Sequence, residues 1–586
     1  MTAPGMSFLG VDSSATGRRW VGPGIEAERQ GEHLHQLTQL PLPLCKILAQ
    51  RGIGAEGAAE FLDPTLKALL PDPRGLKDME IAASRTLQAF DQREKVAVFA
   101  DYDVDGATSA ALLIDWFRQM GRDVTLYIPD RIDEGYGPNV PAMELLAADH
   151  SLIICVDCGT LSHEPIAAAK AKGADVVVLD HHLGGETLPP AVAVVNPNRQ
   201  DELDAPGYLC AAGVVFLLLV ELGRMLREAG RTGPDLISML DLVALGTVAD
   251  VAPLIEANRA LVRQGLKIMA RRARPGMVAL ADVSGMNEAP RAYHLGYMMG
   301  PRVNAGGRVG RADLGARLLS TTDMHEAQAI AARLNDLNAE RREIEANVQA
   351  LALEQAEARG LDAPLVWAAG EGWHPGVVGI VASRLKEATN RPAVVIGFDG
   401  EDGKGSGRSI AGVDLGASIQ RLASDGVIQK GGGHKMAAGL SLSRDQLEPA
   451  MNRLSDLLAK QGAGLQGAAD LRLDGVLMPS AVTVDLIEEL EHAGPFGASA
   501  PAPRFAFPDV QILFAKRVGQ NHLKLSFGDG MGTRIDAISF GAFDGPLGPL
   551  LENHAGRRFH LAGKLEVNHW QGRSSPQLRL DDASTT

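Results

Sequence analysis

Short apolar runs separated by stretches of helical spacing dominate the chain from Glu94 to Val195. Val96–Ala100, Val124–Ile128, Leu152–Val156, Val176–Leu179 and Val192–Val195 read as β runs, and Ala107–Met120 places its apolar residues at helical intervals. Strands alternating with helices predict an α/β fold with a parallel sheet covered on both faces, and such sheets bind ligands beyond the carboxyl ends of their strands. Before this region, residues 1–80 offer only short helical pieces, Pro43–Arg51 and Gly54–Leu62. After it, a highly charged helix runs from about Asp323 to Arg359 with no Gly or Pro until Gly360. At ~1.5 Å per residue it would reach ~50 Å, enough to separate two lobes.

A second, smaller α/β lobe follows, with apolar runs at Leu365–Ala368 and Ala393–Ile396 and a helix at Val377–Ala388. Glycine-rich stretches at Gly403–Gly407 and Gly431–Gly433 interrupt it and read as turns. Beyond Gly462–Gly467 the pattern shifts to short strands with polar turns, ending at Gln577–Leu580, which reads as a small β-barrel. The expected organisation is an N-terminal extension (1–80), a first α/β domain (81–322), a connecting helix (323–360), a second α/β domain (361–460) and a β module (466–586).

Length and composition fit this picture. A chain of 586 residues suits several domains, and 45% apolar with 22% charged residues excludes general disorder. The net charge of −15 gives no sign of a polyanion partner, so any such partner needs a local basic groove. Four cysteines are too few for a disulfide scaffold and imply a reducing compartment. Cys155 and Cys158 form a CxxC without a second pair nearby, which does not indicate structural zinc. Met1–Gly10 lacks the pattern of an export signal, and the longest apolar run, Leu209–Val220, falls short of the ~20 residues that span a bilayer. A soluble cytoplasmic protein without a membrane partner is expected.

The candidate chemistry lies where strands should end. Asp101, Asp103 and Asp105 follow the first β run, Asp157 follows Leu152–Val156, and Asp180-His181-His182 follow Val176–Leu179. Asp250 stands in Gly246-Thr-Val-Ala-Asp-Val-Ala-Pro253. A single Asp at such a place is most often a helix cap. Gathered together, these carboxylates would repel one another unless cations intervene, and hard divalent ions prefer oxygen ligands with an occasional imidazole. Two such ions ~3.5–4 Å apart can clamp a phosphoryl group and activate water.

Asp101-Tyr-Asp-Val-Asp-Gly106, Val156-Asp-Cys-Gly-Thr160, Asp180-His181-His182 and Ala244-Leu-Gly-Thr-Val-Ala-Asp250 resemble the four motifs of the DHH phosphoesterases. Within that superfamily the chain resembles the RecJ family of bacterial single-strand-specific exonucleases, from about residue 40 to the C-terminus. The resemblance implies a DHH domain, a connecting helix, a DHHA1 domain and an oligonucleotide-binding (OB) fold. It implies two divalent cations, Mn²⁺ or Mg²⁺, held by Asp103, Asp105, Asp157, His181 and Asp250, with Asp101 beside them. Asp157 would bridge the ions, His182 would assist catalysis, and Asp180 would orient His181 or the backbone.

Gly300-Pro-Arg-Val-Asn-Ala-Gly-Gly-Arg308 reads as a glycine turn and resembles a family segment whose Arg302, Asn304 and Arg308 would hold phosphate, with Gly306 where Ala is usual, which should loosen the turn. Gly372-Trp-His374, Gly405-Ser406-Gly-Arg408-Ser409 and Gly431-Gly432-Gly433-His434 resemble the DHHA1 signatures, which implies phosphate or nucleic-acid binding by His374, Ser406, Arg408, Gly432, Gly433 and His434. The Ser406–Arg408 segment is where the resemblance puts the terminal 5′ phosphate; pairing of Arg408 with a nearby carboxylate is the alternative. No ATP site follows, because Gly403-Lys404 precedes Gly405 where a Walker motif requires Ser or Thr. In the β module, Trp570 is a candidate for base stacking, and a buried core role is the other reading.

The function implied is a 5′-to-3′ exonuclease specific for single-stranded DNA, releasing 5′-mononucleotides in DNA repair and recombination. Its partners would be a single strand with a free 5′ end, a helicase and a single-strand-binding protein, with the enzyme itself a monomer. Two alternatives remain at this level: a phosphodiesterase for short oligonucleotides or cyclic dinucleotides, and a non-catalytic replication scaffold. The β module and N-terminal extension weigh against the first, and the intact acidic set weighs against the second.

Overall fold

The computed structural model describes residues 7–130, 134–464, 470–570 and 572–586, without the side chain of Trp570. The chain forms two compact units, one from Met1–Pro64, Leu465–Gly494 and Pro501–Thr586, the other from Thr65–Gly464 and Pro495–Ala500.

The larger unit opens on a parallel five-stranded sheet in the order Thr125–Tyr127, Val96–Ala100, Leu152–Val156, Asp175–Leu179 and Ala193–Val195. Alternate residues of one strand feed two different cores. Val96, Val98, Leu152 and Ile154 pack into one, while Ala97, Phe99, Ile153 and Cys155 pack into the other. A strand buried on both faces has no polar side, which is why these segments read as continuous apolar runs. From Val96–Ala100 the chain visits the edge strand and then crosses to Leu152–Val156 on the other side. The crevice at that reversal lies beyond the carboxyl ends of these two central strands.

A helix over Met324–Arg359 follows, capped by the Asp323 side chain and ended by Gly360 at φ +95°. It leads to a second five-stranded sheet ordered Lys430–Gly433, Ala437–Ser443, Asp402–Arg408, Ala393–Asp399 and Val366–Glu371. Only the last pair is parallel. Here the glycine-rich segments are strands rather than turns. A Cβ on Gly403, Gly405 or Gly407 would stand 2.7 Å from the Phe398 ring, 2.8 Å from Ile396 and 2.7 Å from Leu415 respectively. The glycines form the close-packed face of the strand, and Lys404, Ser406 and Arg408 alternate onto the other face.

A second difference concerns Gly300-Pro-Arg-Val-Asn-Ala-Gly-Gly-Arg308, which is a helix, Gly300–Val309, continuing directly from a π-helix at His294–Met299. Its glycines serve close approach between elements. A Cβ on Gly307 would run into the Tyr102 ring, and one on Gly306 would lie 3.0 Å from Leu334.

The smaller unit contains a closed five-stranded barrel. Phe505–Val518, His522–Gly528, Arg534–Ser539, Arg573–Thr585 and Arg558–Trp570 pair in turn, and the last pairs back with the first. Of the N-terminal extension, the described residues up to Pro64 fall in this unit and residues 65–80 in the larger one. Trp20–Val21 pairs with Leu471–Arg472, and the fully buried Trp20 donates its indole N–H to Asp582 at 3.0 Å. A two-residue strand with so distant a partner leaves no local periodicity to read. Among the described residues no helix is long and apolar enough to cross a membrane.

Candidate active site

Every acidic segment singled out in the sequence arrives at the crevice beyond the first sheet. Asp103 caps the Val104–Gln119 helix, accepting the backbone N–H groups of Asp105 and Gly106 at 2.9 and 3.1 Å. The helix therefore starts three residues before the apolar pattern suggests, and the capping role coexists with a place in the acidic cluster. Asp105 is buried and accepts the N–H groups of Ala211 and Ala212 at 2.6 and 2.9 Å, at the start of the Ala211–Glu228 helix. That helix end favours a negative charge. Gly246 makes room for it, since a Cβ there would lie 2.5 Å from Thr108 Oγ1 and 3.0 Å from Asp105 Oδ1. Asp157 takes the left-handed conformation, φ +59°, immediately after its strand and is buried. Left-handed geometry is strained for most L-residues and tolerable for Asp.

Three groups of donors overlap: Asp101 with Asp103 and Asp157; Asp105 with His181 and Asp250; and Asp157 with His181 and His182. Asp157 and His181 each belong to two of them. His181 Nε2 lies 3.3 Å from Asp157 Oδ1, 3.7 Å from Asp105 Oδ2 and 3.8 Å from Asp250 Oδ2. Both Asp157 Oδ1 and His181 Nε2 are buried without a hydrogen-bond partner. Burial, reinforced by the surrounding carboxylates Asp103, Asp105, Asp101 and Asp250, drives the Asp157 carboxyl well above its ordinary range. Burial and the neighbouring Asp105 and Asp103 likewise push Asp250 up to about 9. A buried, mutually repelling set of oxygens with one imidazole and unpartnered lone pairs is the donor set that hard divalent cations satisfy.

Asp180 has a different task from its neighbours. Its Oδ1 accepts from His182 Nδ1 at 2.8 Å and from the backbone N–H groups of His181 and His182, and its Oδ2 accepts from the Thr160 N–H at 3.0 Å. Burial opposes its ionisation, but the bonds from His182 and Thr160 prevail and keep it below the usual carboxylate range. The imidazole it orients is therefore that of His182, not His181. Despite burial, this pairing raises His182 to about 9.

Tyr136, Asn196 and Asn198 were not apparent from sequence. The Tyr136 hydroxyl lies 3.3 Å from His182 Nε2 and donates to the Asp157 carbonyl at the same distance. Asn196 and Asn198 donate to the carbonyls of His182 and His181 at 2.8 and 2.6 Å, which fixes the loop bearing both imidazoles. The two asparagines follow the fifth strand, so the strand-end criterion that singled out the acids applied to them as well.

The residues chosen for phosphate contact divide. Around the first turns of the Pro375–Thr389 helix, His374 accepts the Gly376 N–H at 3.0 Å and Arg308 donates to the Gly376 carbonyl at 2.8 Å. Arg408 donates to Ser406 Oγ at 2.9 Å, and both lie beneath Gly379, where a Cβ would come within 3.0 and 3.1 Å of them. Arg302 instead donates to Asn335 and to the Met298 carbonyl. Asn304 accepts the Val104 N–H at 3.2 Å and so holds the first acidic loop. Gly432, Gly433 and His434 lie at the end of the edge strand Lys430–Gly433 and just beyond it, the last two against Gly416 of the Leu415–Ser424 helix. The side chain of Trp570 lies outside the described residues.

The chain is similar to known proteins domain by domain. Residues 95–247 match the DHH family N-terminal domain, 362–460 the DHHA1 domain and 473–582 the RecJ OB domain. The chain is 40% identical over 562 residues to the single-stranded-DNA-specific exonuclease RecJ of Dickeya dadantii, covering 92% of this chain and 96% of that protein. It is 37% identical to the Escherichia coli protein of the same description, with 93% and 96% covered. Among solved structures, Thermus thermophilus RecJ in complex with Mn²⁺ superposes with a TM-score of 0.80 at 29% identity, covering 96% of this chain and 79% of that one. The same protein in complex with Mg²⁺ gives 0.73 at 27% identity, with 97% and 78% covered.

Proposed function

The chain belongs to the RecJ family of single-stranded-DNA-specific exonucleases, and from that premise we propose that it removes 5′-mononucleotides stepwise from the 5′ end of single-stranded DNA. The observation that carries this reading is the sharing of Asp157 and His181 between overlapping donor groups, with their facing atoms 3.3 Å apart and unpartnered. Asp101 and Asp103 on one side, and Asp105, His181 and Asp250 on the other, would each hold one cation, with Asp157 between them. Two Mn²⁺ or Mg²⁺ ions would offset the carboxylate charge and supply Lewis-acid activation of water and the phosphodiester.

The chain's own residues do the rest. Asp180 fixes the His182 ring through Nδ1, leaving Nε2 beside the Tyr136 hydroxyl to hydrogen-bond a phosphoryl oxygen as charge develops there. Water adds to phosphorus, the bond to the 3′ oxygen of the terminal nucleotide breaks, and that nucleotide leaves with its 5′ phosphate. Ser406 and Arg408 would receive the terminal 5′ phosphate, and the barrel would hold the strand.

Free 5′ single strands arise where duplex is unwound, so a helicase and a single-strand-binding protein are the partners this substrate calls for. Repair and recombination are the setting, and the enzyme works as a monomer. The test is digestion of 5′- and 3′-labelled single strands and duplexes with and without Mn²⁺. The proposal requires release of the 5′ label as mononucleotide, from single strands and with metal; early release of the 3′ label would refute the direction.

A further inference from the structure

Two tyrosines stand on the surface next to the helix that delivers Asp250. Tyr293 and Tyr297 are 50% and 74% exposed, yet their rings stack on each other with centroids 5.1 Å apart and planes 25° from parallel. Tyr297 lies within the π-helix His294–Met299, and Tyr293 immediately precedes it. π-helical turns are rare and frequently occur at functional sites. This one presses on the end of the Leu240–Ala249 helix. A Cβ on Gly296 would lie 3.4 Å from Val248, and one on Gly300 would lie 3.2 Å from Ala249. The next residue along that helix end is Asp250.

Immediately after it, Val251 adopts φ +61° with its side chain 71% exposed, a conformation that a β-branched residue rarely takes. Exposed aromatic residues therefore sit on the element packed against the helix end that bears Asp250, and the exposed Val251 follows Asp250 directly. Arg302, in the helix that continues from the π-turn, donates to the Met298 carbonyl at 2.6 Å and so brings a guanidinium to the same stretch. Acidic donors to hold cations, a guanidinium and a flat aromatic surface on adjoining elements match the parts of a nucleotide: phosphate and base. Surplus aromatic area facing solvent costs solubility unless a ligand covers it.

We propose that Tyr297, backed by Tyr293, is a stacking platform for a base of the single strand, close to the scissile phosphate. This rests on the exonuclease reading above. The platform reads a base face and no sequence, since every base has one, and stacking of this kind is worth roughly a five- to hundredfold factor in affinity.

The test is an abasic scan. A set of single strands, each carrying one tetrahydrofuran abasic residue at a successive position from the 5′ end, is digested with Mn²⁺, and KM and kcat are measured separately. In the wild-type protein one position near the cleaved bond should raise KM by roughly five- to hundredfold. Tyr297→Leu should raise KM for the intact strand by a similar factor and become indifferent to that abasic position. Tyr297→Phe should behave as wild type, because the ring face remains. If Tyr297→Leu and the abasic position each weaken binding independently, or if Tyr297→Phe fails as badly as Tyr297→Leu, the platform is refuted. Failure of the wild-type protein to digest the intact strand would overturn the exonuclease reading instead.

Discussion

In the first lobe most of the polar side chains that matter stand just beyond the ends of parallel strands, with Asp250 at the end of a helix, whereas in the second lobe Ser406 and Arg408 stand on a strand itself, Asp402–Arg408. Loops at strand ends, with one helix end, let four separate segments of chain converge, so carboxylates from distant positions meet at distances their mutual repulsion disfavours. A strand cannot gather groups in that way, but its register fixes donors beforehand, with the glycine face packed on Phe398, Ile396 and Leu415. The first arrangement is built around positive charge that must arrive with the cations. The second supplies positive charge of its own and is complete without them. Loss of one member should therefore be all-or-none in the first lobe and graded in the second.

Loss of Asp157 should have the greatest consequence in the first lobe. Asp157→Ala should abolish hydrolysis, because Asp157 completes the donor group of Asp101 and Asp103 and faces His181 of the Asp105–His181–Asp250 group at 3.3 Å, so its removal opens both. Single-strand binding should largely survive, read by fluorescence anisotropy. Turnover within tenfold of wild type would show that Asp157 is not shared.

The two histidines of the same lobe should differ. His181→Ala should lower both turnover and metal content, since His181 Nε2 faces three carboxylates. His182→Ala should cut turnover with metal content near normal, because its Nδ1 is committed to Asp180. Elemental analysis of both variants decides; equal metal loss would make His182 a ligand too.

A smaller, graded effect is expected at Arg408. A charge-assisted hydrogen bond to a terminal phosphate is worth ~1.5–3 kcal/mol, so Arg408→Ala should erase roughly a tenfold to hundredfold preference for 5′-phosphate over 5′-hydroxyl strands. Metal content should not change. Slowing of both strands by one factor would remove Arg408 from the end-sensing role.

The smallest effect is structural. In Gly405→Val the new side chain would meet Ile396 and Leu440, and overpacking of this kind costs about 1–3 kcal/mol. Thermal unfolding should show the loss. An unchanged melting temperature would mean that the glycine face has room to spare.

The same contrast explains what the sequence disclosed. Acidic residues at strand ends were legible because their types carry the chemistry and the flanking apolar runs mark where strands stop. The glycine-rich strand was misread because glycine usually signals a turn, and here it signals close packing. The period-two alternation Gly403-Lys-Gly-Ser-Gly-Arg408 was the available clue. The helix at Gly300–Val309 was misread for the same reason. Tyr136 carries no pattern at all, since its role comes from two hydrogen bonds made across the crevice. The pairing of Trp20 with the barrel unit depends on residues more than 400 positions away, which no local window contains.

The central claim is that one carboxylate, Asp157, serves two cation sites. Calorimetric titration of Mn²⁺ into the full-length wild-type protein and the Asp157→Asn and Asp250→Asn variants tests it most directly. Two ions are expected for the wild type, with loss of tight binding at both sites in Asp157→Asn and at one site in Asp250→Asn. Two tightly bound ions in Asp157→Asn would contradict it.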